Sequence, residues 1–209
     1  MIIDSQLSLS AQVAELSCSG YFQLRQLRPI IRSLTVETAK TIAQAFISCR
    51  LDYCNSLLYG ISDSLLQCLQ SVQNVAAHLV TGTRRCDHIT PVLRQLHWLP
   101  VRQRINFKIA GCVFQALNGQ EPGYVADDCR LISDSDCRRL RSSDIRTYVT
   151  PRTSTQFGDS SFSVAGPQVW NGLPSALRAP DLTFDRFKRE LLRPICLHWC
   201  DEISAPSDY

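Results

Sequence analysis

The sequence predicts a mainly α-helical protein, a helical bundle with a small β-hairpin near its C-terminal third. Three observations carry this. Apolar residues recur at spacings of three and four through most of the first 120 positions. Residues that start or stop helices (Thr35, Gly60, Ser62-Asp63, Gly82 and Asn118-Gly119) punctuate those runs at helix-like intervals. After Pro122 the period is lost, and only two short alternating stretches, 145–152 and 160–165, read as strands.

The first helix is expected over residues 7–33, where Val13, Leu16, Tyr21, Leu24, Leu27 and Ile31 repeat at helical spacing. Pro29 falls late in that run and is placed to kink or end it, because its ring blocks continuation of the hydrogen-bond ladder. Thr35 is an N-cap candidate for a second helix carrying Ala39, Ile42, Ala43, Phe46 and Ile47, with Gly60 as a stop beyond it. Ser62 or Asp63 caps a third helix, whose apolar face runs from Leu65 through Leu69, Val72 and Ala76 to Leu79. Gly82 ends it, since glycine tolerates the left-handed conformation common after a helix.

A short helix over Pro91–Leu96, a turn at Leu99-Pro100 and a long helix over 101–118 follow. Residues 129–147 are rich in Asp, Ser and Arg and read as a loop. The two alternating stretches, separated by a turn containing Gly158-Asp159, make the expected hairpin near 145–165. Gly166-Pro167 opens a short helix through Trp170, and Phe184, Phe187, Leu191 and Leu192 define a last one. The domain reading is a helical region over 1–120, a polar linker or loop over 121–144, a hairpin-plus-helix segment over 145–194 and a tail over 195–209.

Composition narrows the function classes. Apolar residues make up 44% and charged residues 20%, a globular balance and not a disordered one. No apolar run approaches the ~20 residues a membrane-spanning helix needs. No signal peptide opens the chain, so an intracellular, non-secreted protein is expected; of its ten cysteines, Cys49, Cys54, Cys68 and Cys112 fall in apolar helical patterns and are read as small buried hydrophobes with free thiols. The net charge is only +3, yet nineteen of the 22 basic residues are Arg. The Arg guanidinium is a planar fork that grips phosphate with two hydrogen bonds, which a Lys ammonium cannot do.

Three constellations invite chemistry. Tyr124-Val-Ala-Asp127-Asp128 approaches the adjacent aspartates with which a polymerase holds two divalent metals. The aromatic stands one residue too far away, strong apolar strands do not flank the pair, and a third carboxylate is not evident, so a short helix with solvated acids is expected. Cys196, His198 and Cys200, or Cys129 with Cys137, fall short of the four ligands of a structural zinc site. His88 and His97 have no nucleophile or carboxylate partner implied by the sequence. The chain is therefore expected to hold no catalytic residue, metal or cofactor of its own.

The segment Arg84-Arg85-Cys-Asp-His88 to His97-Trp98-Leu99-Pro100-Val-Arg102-Gln-Arg104-Ile105 stands apart by its density of Arg, His and Trp. Arg84, Arg85, Arg94, Arg102 and Arg104 are the candidate nucleic-acid-binding residues, set against ordinary ion pairing on a solvated helix rim. Trp98 and Trp170 read as core anchors. Arg138, Arg139 and Arg141 stand among Asp134, Asp136 and Asp144, which offset much of their charge.

Several strings resemble LINE-type, non-LTR retrotransposon reverse transcriptases. They include Phe46-Ile-Ser-Cys-Arg-Leu-Asp-Tyr-Cys-Asn-Ser-Leu-Leu-Tyr-Gly60 and Leu69-Gln-Ser-Val-Gln-Asn-Val-Ala-Ala77. Thr81-Gly-Thr-Arg-Arg85 and the run from His88 to Ile105 follow, then Phe157-Gly-Asp-Ser-Ser-Phe-Ser-Val-Ala-Gly-Pro-Gln-Val-Trp-Asn-Gly-Leu-Pro174 and Phe187-Lys-Arg-Glu-Leu191. They occur in family order and extend over residues 4–192. The resemblance implies the thumb and post-thumb region of an RNA-directed DNA polymerase. The palm and its Mg²⁺-binding carboxylates would precede residue 1, in a longer protein or a more complete element. The partner so implied is template–primer nucleic acid. The alternative is a helical interaction module, inert or domesticated, with no nucleic-acid role. The tail over 195–209 departs from the family pattern.

Overall fold

The computed structural model describes residues 2, 8–128, 131–132 and 146–198. They are mainly helical. The chain divides into two compact units, Met1–Ile105 and Asn106–Tyr209, with the division falling inside the helix Val101–Leu117.

In the first unit, α1 (Ser10–Ile31) and α4 (Asp63–Thr81) form the main helix pair. Gly20 lies buried at their contact. A Cβ there would come within 2.6 Å of the Val72 Cγ1 methyl, so only glycine permits this approach without displacing Val72. Pro29 sits inside α1, two residues before its end, where few ladder bonds remain to be lost. Thr35 caps α2 (Val36–Ala43), its hydroxyl oxygen accepting from the Thr38 N–H at 3.4 Å. The chain continues through a π-helical turn (Gln44–Ser48) into α3 (Cys49–Asp52), burying Ala39, Ala43, Ile47 and Leu51. A 3-10 turn (Asn55–Leu58) and Gly60, at φ 76°, lead to α4. Gly82, at φ 70°, ends α4 in the left-handed conformation that glycine adopts at little cost. Then come α5 (Ile89–Leu96) and the start of α6 (Val101–Leu117).

The second unit is built around aromatic rings. Phe114 of α6 stacks on Phe187 and Phe184 of α10 (Phe184–His198), with ring centroids 4.4 and 5.7 Å apart. Trp170 of α9 (Phe162–Asn171) lies against Phe114 and Phe187, and Tyr148 meets Trp170 edge-on. The short helices α7 (Gly123–Asp127) and α8 (Gln156–Asp159) and a 3-10 turn (Ser175–Arg178) complete it.

The hairpin near 145–165 does not form: the described residues contain no named strand, and only one isolated antiparallel bridge, Leu131 to Tyr148. Two physical reasons account for this. The apolar stretch from 162 to 170 buries Val164, Ala165, Gly166, Pro167 and Trp170, a set that strand alternation would divide between two faces. Residues 146–150 meanwhile find a different partner for their backbone. The Tyr148 N–H donates to Asn171 Oδ1 at 3.0 Å, and Asn171 Nδ2 donates to the Tyr148 carbonyl at 2.9 Å. One side-chain amide thus takes the place of a facing strand at this position.

Candidate nucleic-acid interface

The segment 84–105 is organised around one turn. Leu99-Pro100 joins α5 to α6, and two glutamines of α4 hold it. Gln73, buried, donates from Nε2 to the Leu99 carbonyl at 2.7 Å. Gln70 accepts the Val101 N–H at 2.9 Å, satisfying one of the donors that a helix start leaves without an internal partner. Gln70 Nε2 also donates to Gln73 Oε1 and Asn74 Oδ1, at 3.0 and 2.8 Å, which fixes both amides. Trp98 packs beside the turn and is only 3% exposed, so its face is closed to a stacking base. His97 forms the C-cap of α5 at φ 56°, and His88 its N-cap without a side-chain bond.

The five candidate arginines do not share one environment. Arg104 turns inward, with 12% of its side chain exposed. Its Nε donates to the Leu99 carbonyl at 2.9 Å, and its Nη1 meets both Asp52 oxygens, at 2.7 and 2.8 Å. It therefore ties α3 to the turn. Arg102 pairs with Asp63, with 55% and 87% of the two side chains exposed, so solvent screens the pair and either partner can exchange. Arg94 is exposed on the last turn of α5. Arg84 and Arg85 are exposed in the connection after α4, where the Arg84 N–H donates to Asp87 Oδ2 at 2.7 Å.

Arg85 faces a feature that the five candidates do not reveal by themselves. An open groove of about 680 Å³ runs between α1 and the C-terminal half of α4. Arg25 and Arg28 of α1 and Arg32, its C-cap, line it together with Arg85, and no carboxylate does. These arginines make no ion pair among the described residues. Positions 25, 28 and 32 fall on one side of a helix by their spacing of three and four. Each directly follows a buried residue (Leu24, Leu27 and Ile31), so anchoring the apolar stripe places the guanidiniums along its edge. The opposite wall is fixed by hydrogen bonds between His78 Nδ1 and Thr83 Oγ1 at 2.8 Å and between the Thr81 and Thr83 hydroxyls at 2.9 Å. The sequence signal was available in Leu24-Arg25, Leu27-Arg28 and Ile31-Arg32, a pattern of anchor followed by cation.

Of the four cysteines expected to be buried, Cys49, Cys54 and Cys68 are exposed and Cys112 is half-buried, because their sulfurs fall beside the apolar stripes and not within them. Asp127 and Asp128 are exposed at the end of α7. Among the described residues no three His, Cys, Asp or Glu side chains converge as a metal site needs. Cys129, Cys137, Cys200 and the arginines at 138, 139 and 141 lie outside the described residues, as do the side chains of Cys196 and His198. No described helix is long and apolar enough to cross a membrane. No family model, curated protein or solved structure matches the chain.

Proposed function

We propose that this chain is the thumb and post-thumb region of a LINE-type reverse transcriptase, and that it holds template–primer nucleic acid without performing polymerase chemistry itself. The ordered strings from residue 4 to residue 192 support the family reading. The observation that carries nucleic-acid binding is the set of exposed arginines after α4, Arg84 and Arg85, continued by Arg94 and Arg102. Guanidiniums at exposed positions release counterions when they meet phosphates, and that release drives sequence-independent binding. Arg104 belongs to the same cluster, but its charge is matched by Asp52, so its role is to set the turn from which Arg102 projects. In the parent polymerase, Mg²⁺ and its carboxylates belong to the palm. The work proposed for this chain is to hold the nucleic acid, inside the cell.

Binding measured against salt tests the reading. The chain should bind a labelled RNA–DNA duplex with an affinity that falls as salt rises, at a log–log slope of about 0.9 per phosphate contact. Arg84→Glu with Arg85→Glu should lower that affinity about tenfold and flatten the slope. Absence of binding at low salt, to duplex or single strand, would leave the interaction-module reading in its place.

A further inference from the structure

We infer that the groove between α1 and α4 is a binding site for an unpaired stretch of nucleic acid, with Arg25, Arg28, Arg32 and Arg85 on its phosphates and the apolar floor against its bases. This rests on the nucleic-acid reading above and deepens it, because the arginines of α1 lie outside the segment from which that reading came.

Three features of the groove select this ligand class. The first is charge. Four arginines and no carboxylate line one groove, so a polyanion gains attraction there without competition from a wall acid. The second is spacing. With a rise of 1.5 Å per residue, Arg25 to Arg32 covers about 10 Å of helix, a run long enough for successive phosphates of one strand and longer than a lone phosphate requires. The third is the floor. The half-buried Val75 and Leu79 and the exposed Val36 line the same groove, and the exposed Tyr21 lines it as well, its hydroxyl bonded to Ser71 Oγ at 2.9 Å.

A duplex keeps its base faces stacked inside and offers phosphates and groove edges, which would leave this floor uncovered. An unpaired strand offers both phosphates and apolar base faces. A positive track beside surfaces on which bases can lie is the general solution for holding single strands. The groove volume of about 680 Å³ also suits a few unpaired nucleotides better than a helix of paired ones.

The test uses the full chain and two probes of equal phosphate number: a labelled oligouridylate of about twelve nucleotides and a blunt RNA hairpin. The oligouridylate should bind more tightly. Arg28→Glu with Arg32→Glu should lower its affinity about tenfold and reduce its salt slope by about 1.4, the loss expected for two single-strand phosphate contacts. Both residues are exposed, so an unchanged circular dichroism spectrum will certify the fold. An oligonucleotide carrying 5-iodouracil should crosslink to Tyr21 or His78. If the double variant binds the oligouridylate as well as the parent while the hairpin is still held, the groove is not the site, and the broader nucleic-acid reading survives. If long-chain polyphosphate displaces the oligouridylate equally well at matched phosphate concentration, the groove reads charge alone and the base-binding part falls. If the parent chain binds neither probe at low salt, both readings fall together.

Discussion

The two units solve the same packing problem with different materials. In the first, helices approach closely over small side chains: Gly20, Ala39, Ala43, Ala76 and Ala77 are all buried. Buried amides then fix the connections, as Gln73 does at Leu99. In the second, the rings of Phe114, Tyr148, Trp170, Phe184 and Phe187 cluster, and the helices and extended segments pack around them. Large rings bury much area per residue and tolerate short, irregular elements such as α7 and α8. Small residues bury less area each but bring long helices together. They leave the edge of the α1 apolar stripe, beside Leu24, Leu27 and Ile31, to carry arginines. The difference teaches where surface chemistry is available: in the first unit it sits on regular helices with defined spacing.

The largest expected effect is at Trp170, in the ring cluster of the second unit. That indole is buried, contacts three rings, and donates from Nε1 to the Arg146 carbonyl at 2.8 Å. Trp170→Ala should destabilise the protein by about 3–5 kcal/mol, from the cavity and the orphaned carbonyl together. Urea unfolding measures the loss. Hydrogen exchange should show it concentrated in 162–171 and 184–192. A loss under about 1 kcal/mol would mean that the ring cluster is not what holds this unit.

A smaller effect tests the first unit. Replacing a helix-interior glycine by alanine normally stabilises by up to about 1 kcal/mol, through backbone entropy. At Gly20 the new methyl would meet Val72 Cγ1 at 2.6 Å, and the strain of shifting a packed helix costs about 1–3 kcal/mol. Gly20→Ala should therefore destabilise by about 1 kcal/mol net. Combined with Val72→Ala, it should be less harmful than the two separate losses predict, a positive coupling between neighbours. A stabilising Gly20→Ala would show that close helix approach is not the organising feature of this unit.

These cases also show what was legible in the sequence. The helices of the first unit could be read because burial, stop signals and helical period agree there: Thr35, Gly60 and Gly82 act where their chemistry says they should. The segment 160–165 could not, because six alternating residues fit a strand and a helix edge equally well. The partner that settles the matter, Asn171, pairs with Tyr148 from 23 residues away. Long-range amides leave no local pattern, and for the same reason the grip of Gln70 and Gln73 on the turn at Leu99 was invisible. The sequence shows the charge of Arg104 but not its partner, because Asp52, which neutralises it, comes from another helix. The arginines beside the α1 stripe are legible as cations that follow apolar anchors, but they stand outside the Arg-His-Trp segment 84–105.

The smallest expected effect concerns a thiol of the second unit. Burial pushes the Cys112 thiol above its ordinary range, and the nearby Glu121 carboxylate adds to this, while Lys108 opposes it. Burial alone likewise raises Tyr59 in the first unit. For both groups the folded protein holds the proton more tightly than the unfolded chain does. Their contribution is thus fully present below the unfolded pKa, and it is lost as pH rises through the raised folded value. Two outcomes follow. At mildly alkaline pH, Cys112 should alkylate with iodoacetamide more slowly than the exposed Cys18, Cys68 and Cys86, because burial disfavours its thiolate and limits access to its sulfur. Peptide mass spectrometry over time reads the order. Cys112→Ser should also flatten part of the alkaline fall in stability and leave the neutral region nearly unchanged, with Tyr59→Phe removing a further part at higher pH. If Cys112 reacts as fast as Cys86, its thiol is not desolvated, and this flank of α6 is more open to water than the buried neighbours Val113 and Phe114 indicate.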